Sequence, residues 1–168
     1  LQYTDGLISL PAQISNIQYF SKNSFSLAND IDMTGVDYTP VSFYGLGSAP
    51  AGEETVPVFD GKGFTISNLT ISTSADVTGL FGEVSYATIQ NLNLDTVSVT
   101  GGNQSTGALA GKFSNGTATN VTANNITVSG GNNVGGLFGE VYTSSLSNLT
   151  VQGDSSVSAS GWHSGGLL

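Results

Sequence analysis

The chain has no cysteine and no arginine, and only three lysines, one histidine, one tryptophan and one methionine in 168 residues. Without cysteine there is no disulfide, no thiolate nucleophile and no zinc–sulfur site. With so few cations and a formal net charge of −9, the chain lacks the basic face that nucleic acid requires and that an anionic membrane surface attracts. Charged residues make up 9% of the total, well below the usual quarter. No apolar run reaches the roughly 18 residues of a membrane-spanning helix. H-E-x-x-H, P-loop and nucleophile-elbow motifs are all missing. Glycine, serine, threonine and asparagine fill the gap, with 23 Gly, 23 Ser and 18 Thr. Such a composition would suit disorder, but 38% of residues are hydrophobic and their placement is regular.

That regularity is a repeat. Ile66-Ser-Asn68-Leu69-Thr-Ile71 returns as Ile89-Gln-Asn91-Leu92-Asn-Leu94, as Ala118-Thr-Asn120-Val121-Thr-Ala123 and as Leu146-Ser-Asn148-Leu149-Thr-Val151. Between the copies runs Gly79-Leu80-Phe81-Gly82, then Ala108-Leu109-Ala110-Gly111, then Gly136-Leu137-Phe138-Gly139, with Gly165-Gly166-Leu167-Leu168 at the end. The leucines step by 29, 28 and 30 residues and the asparagines by 23, 29 and 28. Two independent markers on one period are the mark of stacked repeats. Alternating apolar positions within each copy predict strands facing a core. The expected fold is all-β: a parallel β-solenoid with three strands per coil of about 28–30 residues, each strand pairing with its equivalent one coil away at about 4.8 Å. An antiparallel sandwich does not predict the fixed step. Leu80, Leu109, Leu137 and Leu167 are expected to form one inner column.

Residues 1–24 do not repeat and are expected to cap the solenoid. Leu10, Ile14 and Ile17, with Ser9 to cap and Pro11 in the first turn, predict a short helix over about 10–20. Residues 25–55 read as a degenerate first coil and a loop, with Asp30 where the repeats place asparagine and Glu53-Glu54 at a loop tip within 45–55. Asp60-Gly61-Lys62-Gly63 marks a tight turn, and the solenoid proper is placed at 56–168. The chain begins without a methionine and stops inside a motif, which points to a processed product or a piece of something longer.

Asn68, Asn91, Asn120 and Asn148 share a motif position at a bend, and a ladder of amides bonding one another and the corner backbone is expected there. Six asparagines begin N-x-S/T: Asn68, Asn103, Asn115, Asn120, Asn125 and Asn148. Asn103 and Asn115, in turns, are the better glycan acceptors. Trp162 and His163 lie in the turn before the last Gly-Gly-Leu, where a tryptophan can stack on a sugar or pack on neighbouring structure. Asp30, Asp32 and Asp37 lack a calcium-loop signature. No two acids recur at a defined groove, as glycoside hydrolysis would need, and no catalytic, metal or cofactor site is expected. Ice binding would need Thr-x-Thr in every coil, and Thr117-Ala-Thr119 is unmatched in its neighbours.

Leu27-Ala-Asn-Asp-Ile-Asp-Met33, Tyr38-Thr-Pro-Val41, Phe59-Asp-Gly-Lys-Gly-Phe-Thr-Ile-Ser-Asn-Leu-Thr-Ile71 and the Gly-Leu-Phe-Gly turns resemble the GLUG-repeat family over about 25–168. That family includes bacterial surface adhesins, filamentous-haemagglutinin-like proteins and the N-terminal regions of immunoglobulin A1 metalloproteases. Departures are Tyr38 where relatives often carry tryptophan, and Ala110 in place of an aromatic. The resemblance implies a right-handed solenoid that is secreted or attached to the wall. In the protease relatives catalysis belongs to a separate zinc domain with no counterpart here. Together these readings favour a non-catalytic stalk or adhesive module, extracellular or on the cell surface, whose partner is a glycan or a host or surface protein. A subunit that stacks end to end into a filament comes second, and a polysaccharide-degrading enzyme third.

Overall fold

A computed structural model describes residues 6–20, 23–45 and 56–168; the expected loop tip at Glu53-Glu54 lies outside them. The N-terminal segment contributes β1 (Leu7–Ile8), helix α1 (Pro11–Ser15) and a 3-10 turn at Asn16–Tyr19. The predicted helix is therefore split, and its cap is reversed. Ser9 does not cap forward; Gln13 Oε1 reaches back to accept the N–H groups of Ser9 (2.7 Å) and Leu10 (2.9 Å). Ile14 and Ile17 are buried beneath this segment, and β1 pairs in parallel with β2 (Phe25–Leu27). The segment thus extends the stack as well as covering it.

The first coil continues through β3 (Ile31–Asp32) and β4 (Val41–Tyr44). The next holds β5 (Val58–Asp60), β6 (Thr65–Ser67), β7 (Thr70–Ser72), β8 (Val77–Thr78) and β9 (Phe81–Ser85). A long bent strand, β10 (Thr88–Thr100), opens the third, followed by β11 (Ser105–Thr106) and β12 (Ala110–Ser114). The fourth repeats it as β13 (Thr117–Gly130), β14 (Asn133–Gly135) and β15 (Phe138–Tyr142). β16 (Ser145–Gln152), β17 (Ser156–Ala159) and β18 (His163–Gly165) begin a fifth.

Among the described residues all strand pairings are parallel and join each strand to its equivalent in the next coil, in three sheets. The chain is a parallel β-solenoid. Ile89, Ala118 and Leu146 are register partners, as are Leu94, Ala123 and Val151. Leu80, Leu109 and Leu137 are fully buried, and Leu167 packs against the core at the upper end. Phe25, Phe43, Phe81 and Phe59 form a chain of ring contacts 5.3–6.2 Å apart through the lower coils. Tyr38 is buried with its hydroxyl donating to Leu80 O at 2.6 Å, and burial pushes its phenol far above the usual range.

Ala110 stands in register between Phe81 and Phe138, and Phe113 stands between Val84 and Val141. The two rows exchange large and small residues. Phe113 fills the space that Ala110 leaves and meets the Phe138 ring at 5.1 Å, which keeps the layer close-packed. The small side chain at Ala110 is therefore compensated within its own strand.

The corners are made by residues in the left-handed region, and these stack. Asn91 (φ 53°), Asn120 (54°) and Asn148 (50°) form one column. Asn68 (58°), Thr96 (54°), Asn125 (54°) and Gly153 (71°) form a second, and Tyr86 (53°), Asn115 (50°) and Thr143 (45°) a third. Asparagine tolerates this conformation because its short amide bonds locally, whereas most L residues find it costly. One such residue turns the strand and is followed at once by an inward-facing residue. The motif apolar-x-turn-apolar-x-apolar therefore occurs twice in the third and fourth coils, in the third as Ile89-Gln-Asn91-Leu92-Asn-Leu94 and again as Leu94-Asp-Thr96-Val97-Ser-Val99.

This corrects the expected ladder. Ser67 pairs with Asp95 and Thr70 with Ser98, so Asn68 stacks on Thr96 and belongs to the second column. The odd step of 23 residues is the 28 from Asn68 to Thr96 less the five between Asn91 and Thr96. Asp30 is likewise not a ladder residue. It lies beside the Thr65 register position and accepts the Thr65 N–H at 2.8 Å.

Candidate ligand-binding faces

In the first column Asn148 Nδ2 donates to Asn120 Oδ1 (3.0 Å), Asn120 Nδ2 to Asn91 Oδ1 (3.0 Å) and Asn91 Nδ2 to Asp60 Oδ1 (3.1 Å). Each amide points the same way, and a carboxylate ends the line because it only accepts. Asp60 also receives Gln90 Nε2 (3.0 Å) and the Lys62 N–H (2.8 Å), and pairs with Lys62 Nζ at 3.2 Å. Partial burial pushes the Asp60 carboxyl up, but these donors outweigh it and hold the group at about 2.

The second column has the same ending. Asn68 Nδ2 donates to Asp32 Oδ1 at 2.9 Å, and Thr34 adds its hydroxyl (2.6 Å) and N–H (3.0 Å). Led by the Asn68 bond, these lower the Asp32 carboxyl below its ordinary value. Higher up, Asp95 Oδ1 accepts from Asn124 (2.8 Å) and Asn125 (3.3 Å), and Asn125 Oδ1 accepts the Asp154 N–H (3.0 Å). Three of the acidic residues are thus bonded into the corners. Sequence reasoning weighed Asp30, Asp32 and Asp37 as one cluster and missed the link from Asp32 to Asn68.

Beside each of these two columns the outward side chains leave an open groove along the stack. The first, about 490 Å³, is lined by Gly63, the ladder residues, Asn93, Thr122 and Thr150. The second, about 400 Å³, is lined by Asn68, Thr96 and Asn125 with Thr70, Ser98 and Thr127 beside them, and Val97 on its floor. No lining side chain is charged.

Trp162 is 86% exposed. Its turn is tied to the coil below by the His163 N–H to Asn132 O (2.7 Å) and by His163 Nδ1 against Asn133 Oδ1 (3.1 Å). Asn133 in turn donates to Glu140, which also accepts the Tyr142 hydroxyl at 2.6 Å. Partial burial raises the Glu140 carboxyl, but these bonds and the nearby Lys112 charge bring it below its ordinary value. Lys112 lies 5.5 Å from the centre of the Tyr142 ring. The Trp162 corner therefore joins a polar network that sequence spacing did not reveal, because Asn133 and Glu140 meet across a corner rather than along one strand.

All six sequon asparagines are exposed. The amides of Asn68, Asn120, Asn125 and Asn148 are engaged in the columns; those of Asn103 and Asn115 make no such bond among the described residues. Among those residues no group of three or more His, Cys, Asp or Glu is placed to hold a metal, and no helix is long and apolar enough to cross a membrane.

The fold and its faces define a repeat protein of the parallel β-solenoid class. No family model matches the chain. It is 39% identical over 118 residues to halomucin of Haloquadratum walsbyi, an alignment that covers 64% of this chain and 1% of halomucin. In structure it is similar to a Bacteroides ovatus protein assigned as an immunoglobulin A1 protease. The TM-score is 0.56 at 21% identity, with 96% of this chain and 60% of that one covered. At that identity the likeness concerns the fold alone. The chain thus spans about 1% of the curated relative it matches and 60% of the solved one.

Proposed function

We propose that this chain is a non-catalytic, extracellular module of a microbial surface protein, of the GLUG-repeat type, serving as a stalk or adhesive segment. The observation that carries the proposal is the set of uncharged polar rows held at fixed spacing along the stack, together with a tryptophan turned out to solvent at a separate corner. A rod of this kind separates or displays, and repeated weak contacts along it supply avidity. The match to a small part of the much longer halomucin supports a modular role. The partner is a glycan or a protein on a facing surface, and no cofactor is needed.

Retention of the soluble chain on a glycan array and on intact cells tests this, with Trp162→Ala as comparison. Binding without release of reducing sugar supports the module. Release of reducing ends from a polysaccharide, or no retention on any surface, overturns it. A second reading, stacking of copies into a filament, is favoured by β16, β17 and β18, each of which has a single neighbour among the described strands. The helical segment that buries Ile14 and Ile17 at the other end weighs against head-to-tail stacking.

A further inference from the structure

We propose that the two grooves beside the asparagine columns bind an extended, neutral glycan chain lying along the solenoid axis. The proposal rests on the adhesive reading and names its ligand class and its site. The polar lining groups are amides and hydroxyls, which both donate and accept, as sugar hydroxyls do. No lining side chain is charged in either groove, although the chain carries a net charge of −9. A charged ligand, nucleic acid or acidic polysaccharide, finds no counter-charge there.

The groups are also available. The hydroxyls of Thr122, Thr150, Thr70, Ser98 and Thr127 have no hydrogen-bond partner among the described residues. Each column asparagine uses one N–H to hold the amide or carboxylate below and keeps the second for solvent or ligand. The ladder bonds fix these side chains before any ligand arrives, which lowers the ordering cost of binding. A polar pair recurs at about 4.8 Å over three coils of each groove, as Asn91/Asn93, Asn120/Thr122 and Asn148/Thr150 in the first and as Asn68/Thr70, Thr96/Ser98 and Asn125/Thr127 in the second. That interval suits a polymer that repeats its own hydroxyls, and the three coils present their pairs over about 10 Å. Thr→Val in these rows removes a hydroxyl while keeping a β-branched side chain on an outward, exposed or half-buried strand position, so the fold is retained.

The test is titration of the full ¹⁵N-labelled chain with cellohexaose and mannohexaose, and separately with hexagalacturonate, followed by NMR. Perturbed amides at 91–93, 120–122 and 148–150, or at 68–70, 96–98 and 125–127, are expected with the neutral hexaoses. Affinity should fall about fivefold for each hydroxyl lost in Thr122→Val/Thr150→Val or Thr70→Val/Thr127→Val. Insensitivity to salt and to Trp162→Ala is expected as well. Neutral binding that maps to Trp162 and disappears in Trp162→Ala overturns the grooves but leaves glycan adhesion standing. Binding of hexagalacturonate alone overturns the neutral class. Absence of any shift at millimolar sugar overturns the groove inference, and the adhesive reading is then judged by retention on cells.

Discussion

Replacing Asn120 separates the two reasons for an asparagine at the corner. Asn120→Ala removes the bond from Asn120 to Asn91 and leaves Asn148 Nδ2 without its acceptor, both at 3.0 Å. Each exposed bond contributes about 0.5–1 kcal/mol net. Alanine at φ 54° adds about 1 kcal/mol of left-handed strain. The expected loss is about 2–3 kcal/mol. Asn120→Gly loses the same two bonds but adopts the conformation freely, so it should retain about 1 kcal/mol more than alanine. Equilibrium urea unfolding followed by circular dichroism reads this difference as a midpoint shift of roughly 0.5 M. Because coils interact mainly with their neighbours, the effect should be confined to the two interfaces that share Asn120. Equal midpoints for the alanine and glycine variants would refute the claim that backbone handedness selects the residue. A loss in Asn120→Ala below about 0.5 kcal/mol would show that the ladder bonds contribute no more than solvated amides do.

Thr96 occupies the second column at φ 54° between Asn68 and Asn125, where a β-branched side chain is poorly suited; Thr96→Asn should raise stability by about 1 kcal/mol in the same urea assay. Ala110→Phe should overpack the layer by about 1–3 kcal/mol and Phe113→Val should leave a cavity costing about 2–4 kcal/mol. The double variant restores the large–small order of the flanking coils and should cost less than either single change, with a coupling above about 1 kcal/mol. The Asp60 carboxyl is held at about 2, below the roughly 3.9 of an unfolded chain. Between those values the folded state binds fewer protons, so the stability it contributes is full above about pH 4 and is lost as pH falls towards 2. Unfolding midpoints should therefore fall over that window by less in Asp60→Asn than in the unaltered chain.

The solenoid could be read from the sequence because its two markers keep one period and parallel stacking needs one. The leucine step places Leu80, Leu109 and Leu137 in a single buried column. The corner rule was only half visible. A string such as Ile66-Ser-Asn68-Leu69-Thr-Ile71 fits both corners of the coil, since each is one left-handed residue followed by an inward one. Thr96 hid the second copy by not being asparagine, and the turn at 61–64 puts four residues where the next coil has two. Alignment by motif thus set Asn68 on the wrong column. The grooves were invisible for another reason. They depend on which outward rows flank a bend, and that follows from backbone handedness rather than from hydrophobic spacing. Repeat spacing places Trp162 in a turn, but its tie through His163 and Asn133 to Glu140 crosses two sheets and leaves no periodic trace.

The absence of native cysteine allows the stacking register to be measured directly by disulfide trapping. Thr119 and Ser147 are register partners in adjacent coils, with their hydroxyls 2.8 Å apart. Neighbouring strands about 4.8 Å apart fall inside the roughly 4.4–6.8 Å that a disulfide spans. Thr119→Cys/Ser147→Cys should oxidise fully under mild conditions. Thr117→Cys/Ser147→Cys, on the same face but two residues out of register at roughly 8 Å, should remain reduced. Equal oxidation of the two pairs, or oxidation of the second alone, would contradict the parallel solenoid and the columns built on it.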